Sequence, residues 1–299
     1  MRSILTVTLN PALDKIVHPD KTLVVPGGKG VNVSRALKAL EVDSESLVAV
    51  AGRNGRALVK AMKAEGLVPL VFEVSGETRV NLTQAGGEGE DASRKIEPGP
   101  EWTEAQLKRF LKSFPAIVKG RALVVFSGSL PPGIPNKTYH DLIRLAHKEG
   151  VATVLDARGP ALRFGIKAKP FAVKPNREEA EEFLKSKIVS REDIKKALQS
   201  FLDCGMKMVL LTLGIEGLAA ADGAECWLVR TQKFRGHAVG AGDAALAGAL
   251  VAMMKARPFV DQVRLAAVCG GANVLGQVPG GISQETLARS AVGISLERL

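Results

Sequence analysis

The chain has 299 residues, of which 46% are hydrophobic and 24% are charged, and this size suits one large α/β domain or two smaller ones. It has no run of about 18 apolar residues, so we expect no membrane partner. It also lacks the apolar region of a signal peptide, and its cysteines form no C-x-x-C pair. We therefore expect a cytoplasmic protein. The charge of +10 is spread along the chain and aromatic residues are only 4%, so we expect no nucleic-acid partner.

Short β-rich runs alternate with helical patterns along the chain. Such alternation is typical of parallel strands joined by helical crossovers, and it predicts an α/β fold with a doubly wound, mostly parallel sheet and helices on both faces. In such sheets, ligands bind outside the carboxyl ends of the strands. The predicted strands are 4–9, 47–50, 70–74, 122–126, 151–155, 171–173 and 208–213, and the predicted helices are 31–40, 56–64, 104–111, 137–147, 178–184, 192–202 and 244–254.

Two segments interrupt the alternation. Residues 15–26 form a short extended excursion, and residues 80–97 resemble a hairpin with a Gly-rich acidic tip. Both segments are predicted to form a small β flap over the edge of the sheet. We therefore predict a single domain, 1–299, with lid segments at approximately 15–26 and 80–97.

The string VGAGDAALAG combines two glycines with an aspartate at the start of an apolar helix. Exposed amides and the helix dipole make such a turn an anion site, and Asp243 could accept a proton from a hydroxyl held there. The simpler alternative is that Asp243 only caps the helix. Gly240, Gly242 and Ala245 also match the dinucleotide fingerprint, but no apolar strand precedes them and Asp261 lies in a helical pattern, so we reject that interpretation.

Four other strings lie beside strand ends or helix starts. Lys29 and its glycines suit a phosphate or a sugar hydroxyl cluster, although the P-loop spacing is absent. Asn176 and Glu179 could direct oxygens at one hydrated Mg²⁺, or they could belong to an ordinary turn and a solvated helix. Taken singly, the TLG string with Gly217 and the SGSLPPG string are typical of loops. The four are PGGKG at 26–30, KPN at 174–176 with Glu179, TLG at 212–214 with Gly217, and SGSLPPG at 127–133.

Seven strings in this order resemble the ribokinase-like carbohydrate kinases, in particular the branch of 1-phosphofructokinase and tagatose-6-phosphate kinase. Each string alone is unspecific, but the resemblance extends over nearly the whole chain. It implies the ribokinase-like fold and an ATP-dependent sugar-phosphate kinase. The strings are TLNPALD at 8–14, GGKGVNVSRAL at 27–37, TRVN at 78–81, SGSLPPG at 127–133, KPNREE at 174–179, TLGIEG at 212–217 and VGAGDAALAG at 239–248.

The resemblance also implies a role for each matching residue. Asp243 is expected to be the catalytic base, and the amides of Ala241, Gly242 and Asp243, in the turn that begins at Gly240, are expected to form an anion hole for the moving phosphoryl group. ATP and Mg²⁺ are the implied cofactors. The sugar phosphate is assigned to Asp14, Gly28, Lys29, Asn32, Arg79 and Ser129, the nucleotide to Lys174, Asn176, Thr212, Gly214 and Gly217, and the metal to Asn176 and Glu179, through water.

The GGKG string resembles the kinases of phosphoketohexoses, and Lys29 and Arg79 supply the positive charge that such substrates need. Fructose 1-phosphate is the expected substrate, although these residues do not separate it from tagatose 6-phosphate. Tagatose 6-phosphate and fructose 6-phosphate remain alternatives, and so does a sugar-phosphate sensor that has the kinase fold without the activity. The family lid often builds a homodimer, but the segment between Asp14 and Gly27 is shorter here. Either the lid is reduced to the hairpin at 80–97, or the dimer interface is altered or absent.

Overall fold

The computed structural model describes residues 3–17, 21–84, 93–236 and 238–299. Every predicted strand and helix is present, although several are longer than predicted. The helices are α1 Lys29–Ala39, α2 Gly52–Ala64, α3 Glu104–Val118, α4 Thr138–Lys148, α5 Gly159–Ile166, α6 Arg177–Leu184, α7 Arg191–Asp203, α8 Ala241–Met254, α9 Phe259–Val274 and α10 Gln284–Ala291. The strands are β1 Ile4–Thr8, β2 Ala12–Val17, β3 Thr22–Gly27, β4 Ser44–Val50, β5 Val68–Glu73, β6 Arg79–Gln84, β7 Ser93–Lys95, β8 Leu123–Ser127, β9 Ala152–Asp156, β10 Ala172–Val173, β11 Met208–Thr212, β12 Leu218–Ala221, β13 Cys226–Arg230 and β14 Ser295–Arg298.

The larger sheet has ten strands in the order β14-β13-β12-β11-β10-β9-β8-β1-β4-β5. Strands from β11 to β5 are parallel, whereas β12, β13 and β14 form an antiparallel edge. Alternate residues of β1 point to opposite faces. Leu5 therefore joins the core that contains Phe110 of α3, whereas Ile4 joins the core that contains Leu37 of α1. Helices thus cover both faces, and the predicted doubly wound, mostly parallel α/β fold is confirmed.

A second, four-stranded sheet has the order β3-β2-β6-β7 and forms the lid. Strand β2 pairs with β3 on one side and with β6 on the other, and Asp14 lies opposite Asn81 in this register. The two predicted flap segments are therefore one continuous sheet, and the lid is not reduced to the hairpin at 80–97. The Gly-rich acidic tip of that hairpin lies outside the described residues.

Helix α8 consists of small and apolar residues that are buried on nearly every side. It packs closely against α9: a Cβ added at Gly248 would lie 2.7 Å from the carbonyl oxygen of Leu265. Helix α1 contacts α8 as well. These contacts hold the amino end of α8 at the carboxyl edge of the larger sheet. Within the described part of the chain, no helix is long and apolar enough to cross a membrane.

Candidate active site

Asp243 lies in the first turn of α8 and is buried. The residue before the helix, Gly240, has φ of 86°, a left-handed conformation that glycine adopts without steric cost. Nδ2 of Asn32 donates a 2.8 Å hydrogen bond to Oδ2 of Asp243. The amide of Ala241 donates to the carbonyl of Ala238, whereas those of Gly242 and Asp243 have no acceptor among the described groups. Of the three amides predicted to form an anion hole, those of Gly242 and Asp243 are therefore available to a ligand.

The buried carboxylate of Asp156, at the end of β9, is shared by two lysines. Its Oδ1 lies 2.9 Å from Nζ of Lys29 and 3.3 Å from Nζ of Lys174. Nζ of Lys29 is also 3.6 Å from Oε1 of Glu179. Burial alone would raise the pKa of Asp156, but the two ammonium groups outweigh this effect and hold the pKa below its ordinary value. Asp156 is therefore a buried anion that fixes both lysines at the edge of the sheet.

The carboxyl group of Asp243 has a pKa raised to about 6. Burial is the largest cause, and the negative charge of Asp156 adds to it. Lys29, Lys174 and the hydrogen bond from Asn32 partly oppose the rise because they stabilise the carboxylate. A carboxylate with this pKa is ionised at neutral pH and is a stronger base than an exposed aspartate, which suits it to general-base catalysis.

We expect the rate at saturating substrate to fall as the pH drops below about 6, because protonated Asp243 cannot accept a proton. A phosphorylated substrate also titrates near pH 6, so a control is needed. Asn32→Ala removes a hydrogen bond to the carboxylate, and it should raise the pKa of Asp243 and move the acid limb of its pH–rate profile to higher pH. Identical limbs in both proteins would contradict the assignment and indicate titration of the substrate.

Two clefts meet beside Asp243. The first, of about 390 Å³, lies beneath the lid, and the second, of about 370 Å³, lies between the ends of β11 to β13 and helices α8 and α9. Asn176, Thr212 and Gly242 line both clefts. Asp243 itself lines the first cleft next to this junction. A group passed from one cleft to the other would therefore cross the amino end of α8.

The structure brings the predicted residues together in two groups. Thr212, Gly214 and Gly217, which the resemblance assigned to the nucleotide, line the second cleft. Lys174, predicted to bind the nucleotide, lines the first cleft, where a Cβ built on Gly242 would lie 3.2 Å from its Nζ. The residues assigned to the sugar phosphate all line the first cleft, and they are Asp14, Gly28, Lys29, Asn32, Arg79 and Ser129.

Asn176 and Glu179, the predicted metal residues, form a capping box at the start of α6. Oδ1 of Asn176 accepts a 2.7 Å hydrogen bond from the amide of Glu179, and Oε2 of Glu179 accepts a 2.9 Å bond from the amide of Asn176. One oxygen of each side chain is thus used by the helix. Oε1 of Glu179 remains, close to Lys29. Asn176 and Glu179 therefore cap helix α6 and also line the first cleft.

Sequence reasoning missed Asp156 and Arg158. Both follow the predicted strand 151–155, so the rule that ligands bind at the carboxyl ends of parallel strands could have identified them. Asn10 and Asn81, which also line the first cleft, were missed too. Asn10 donates to Oγ of Ser129, and Asn81 donates to Oδ1 of Asp14 at 2.8 Å.

Three comparisons agree with this geometry. A model of the "pfkB family carbohydrate kinase" matches residues 3–285. The chain is 31% identical to the 1-phosphofructokinase of Bacillus subtilis over 286 residues, which cover 92% of this chain and 93% of the relative. Phosphofructokinase-2 from Escherichia coli, solved with potassium, superposes with a TM-score of 0.89 at 26% identity, over 97% of this chain and 98% of that one.

A Thermotoga maritima protein described as a possible 1-phosphofructokinase has a TM-score of 0.91 at 26% identity, with 99% of each chain covered. The family match covers far more than half of the sequence. It includes the predicted base, the two lysines held by Asp156 and both clefts. The chain therefore belongs to the pfkB family of carbohydrate kinases, and it is an ATP-dependent sugar kinase of the phosphofructokinase type.

Proposed function

We propose that the protein transfers the γ-phosphoryl group of ATP to the free C6 hydroxyl of fructose 1-phosphate and releases ADP and fructose 1,6-bisphosphate. The observation that carries this proposal is the position of Asp243, a buried carboxylate beside the junction of the two clefts. The nucleotide would occupy the second cleft and the sugar phosphate the first. The C6 hydroxyl would then lie between Asp243 and the terminal phosphate.

The acceptor oxygen attacks the γ-phosphorus as its proton passes to a carboxylate oxygen of Asp243, and the bond to the β-phosphate oxygen breaks. The free amides of Gly242 and Asp243 are placed to stabilise charge on the moving phosphoryl group. Lys29 and Lys174 add positive charge on the side of β9 and β10. Most catalysis of phosphoryl transfer comes from such positioning and charge stabilisation.

The first cleft has oxygens that fit Mg²⁺, which prefers one or two carboxylates together with substrate phosphates and water. Glu179 and Asn176 would hold the ion through water. Oε1 of Glu179, which the capping box does not use, is the carboxylate oxygen available to this water shell. When bound, the ion neutralises phosphate charge. Among the described residues, no group of three His, Cys, Asp or Glu could hold a metal ion by itself.

Recognition of the sugar phosphate is assigned to the lid and the strands beneath it. Asp14 and Asn81 lie side by side on β2 and β6 and present polar groups suited to sugar hydroxyls. Arg79 lies in the same cleft, where its guanidinium donates to the carbonyls of Glu97 and Asn10. A phosphate could be held by this cation. The likeness to a 1-phosphofructokinase supports fructose 1-phosphate over the two alternatives.

The test is ADP release, measured by a coupled assay with Mg²⁺ and each of fructose 1-phosphate, fructose 6-phosphate, tagatose 6-phosphate and ribose. We expect fructose 1-phosphate to give the highest kcat/KM, and chelation of Mg²⁺ to abolish turnover. A higher kcat/KM with fructose 6-phosphate or tagatose 6-phosphate would contradict the substrate assignment. Binding of a sugar phosphate without turnover of any sugar would favour the sensor alternative.

The homodimer also stays a prediction. Strand β3 is the edge of the lid sheet, and Val24 on it is 52% exposed. An unpaired edge with an exposed apolar side chain is a surface on which a second copy could pair. Light scattering of the protein at several concentrations measures its mass directly, and a monomer throughout would contradict the dimer.

A further inference from the structure

Four cationic side chains line the first cleft, and three of them already have partners within the protein. Lys29 and Lys174 are paired with Asp156. The guanidinium of Arg79 donates to two backbone carbonyls. In the parts of the chain that the structure describes, the side chain of Arg158 makes neither a hydrogen bond nor an ion pair, although it lines the same cleft. Its charge is therefore available to a ligand.

The backbone of Arg158 is fixed although its side chain is exposed. It follows the buried Asp156 by two residues and is the N-cap residue of α5, and its carbonyl accepts from the amide of Leu162. Helix α5 also packs against α6, which begins next to Asn176. The guanidinium is therefore a solvent-exposed donor at the end of a long side chain whose backbone is held by α5.

The strand order places Arg158 between residues assigned to the nucleotide and a residue assigned to the sugar phosphate. Strand β9 lies between β10, which leads to Lys174 and Asn176, and β8, which leads to Ser129. The nucleotide cleft lies beyond β10, whereas the lid with Arg79 lies on the side of β1. Arg158 therefore lies in the first cleft at the end of β9, one strand away from β10, and Asn176, which follows β10, lines both clefts. The group expected at the junction of the clefts is the terminal phosphate of the nucleotide.

Charge balance also favours a phosphate ligand for Arg158. The four cations of the cleft are offset by the carboxylates of Asp14, Asp156, Glu179 and Asp243, so these groups carry no net formal charge before the substrates bind, and none is left over without Arg158 to meet added phosphate charge. A triphosphate and a sugar phosphate bring several negative charges to the same volume. An arginine suits them because its planar fork can donate two parallel hydrogen bonds to one phosphate.

We propose that Arg158 binds the γ-phosphate of ATP and is thereby a further catalytic residue of the kinase. This inference rests on the proposed function, in which ATP is the donor. The guanidinium replaces water around the terminal phosphate and steadies its charge as the bond to the β-phosphate breaks. ADP lacks the γ-phosphate, so Arg158 contributes to the binding of ATP and not to that of ADP.

The experiment compares ATP and ADP binding by calorimetry, in Asp243→Asn protein so that ATP is not consumed. Arg158→Ala should weaken ATP binding by about 10-fold or more, the loss of a hydrogen-bonded charge contact, and change ADP binding by less than about twofold. Arg158→Lys should restore part of the ATP affinity. The matched control is Arg257→Ala, an exposed arginine beyond the opposite end of α8, which should change neither affinity.

Equal losses for ATP and ADP, or no loss for either, would overturn the proposal. So would a loss confined to fructose 1-phosphate binding, which would assign Arg158 to the sugar phosphate instead. Failure of the proposed function has a different signature: protein with the native Arg158 would not bind ATP, or unsubstituted protein would turn over no sugar phosphate. Arg158→Ala in the otherwise unsubstituted enzyme should also lower kcat by about 10-fold or more, and an unchanged kcat would contradict the catalytic role.

Discussion

Asp243→Asn is expected to lower kcat by about 100-fold or more, the usual contribution of a positioned general base. The asparagine keeps the size of the side chain but cannot accept the proton of the acceptor hydroxyl. Asp243 does not line the nucleotide cleft, so ADP affinity should change by less than about twofold. Turnover and ADP binding are measured on the same preparation. Retention of more than about a tenth of kcat would contradict the role of base.

Asp261→Asn is a matched control for this substitution. Asp261 also lies in the first turn of a helix, α9, but it does not line either cleft. Its replacement removes one favourable interaction with the helix dipole, and we expect about 0.3–1 kcal/mol of lost stability with no change in kcat. Comparable losses of activity in the two variants would indicate a general effect of helix capping rather than base catalysis.

The same Asp243→Asn variant should be more stable than the parent protein at pH 8. The folded-state pKa of about 6 lies above the ordinary value of 3.8, so the folded state binds the proton more tightly than the unfolded chain. The free energy of unfolding of the parent protein therefore falls as the pH rises from about 4 through about 6. The variant avoids this loss because asparagine has no carboxyl group to titrate. In thermal unfolding at pH 8, the variant should have a higher Tm than the parent protein. This difference in Tm should be smaller at pH 4.

Asp156→Asn is expected to destabilise the fold by about 3–5 kcal/mol, the range seen when one partner of a buried ion pair is removed. Asp156 is fully buried and Lys174 nearly so, and the substitution leaves the ammonium groups of Lys29 and Lys174 without the carboxylate between them. Denaturant unfolding measures the change in the free energy of unfolding. A change below about 1 kcal/mol would contradict the importance of this anion.

An exposed pair supplies the control for Asp156. Asp141 on α4 lies 3.7 Å from Lys137 at the surface, and Asp141→Asn should cost less than about 1 kcal/mol.

A second readout follows from electrostatics, because the negative charge of Asp156 helps to raise the pKa of Asp243. Removing that charge should move the acid limb of the pH–rate profile to lower pH. A limb that moves to higher pH would contradict the electrostatic interaction between Asp156 and Asp243.

The sequence predicted most of the parallel sheet because its strands are continuous apolar runs separated by helical patterns. The antiparallel edge was missed. Strand β12 has the sequence LAAA, which lacks β-branched residues, and it becomes a strand because β11 and β13 flank it. The lid was predicted only in outline, since the pairing of β2 with β6 joins segments more than 60 residues apart in the chain.

At the active site, the sequence by itself determined the Gly–Asp turn, the Lys29 string and the KPN string, because each depends on neighbouring residues and on a resemblance that preserves their order. Only the tertiary structure decided which charges face one another. Asp156 and Lys29 are separated by 127 positions, and strand order alone brings them to 2.9 Å. The raised pKa of Asp243 likewise depends on burial and on distant charges, and the place of Arg158 in the first cleft depends on strand order; no local pattern encodes either.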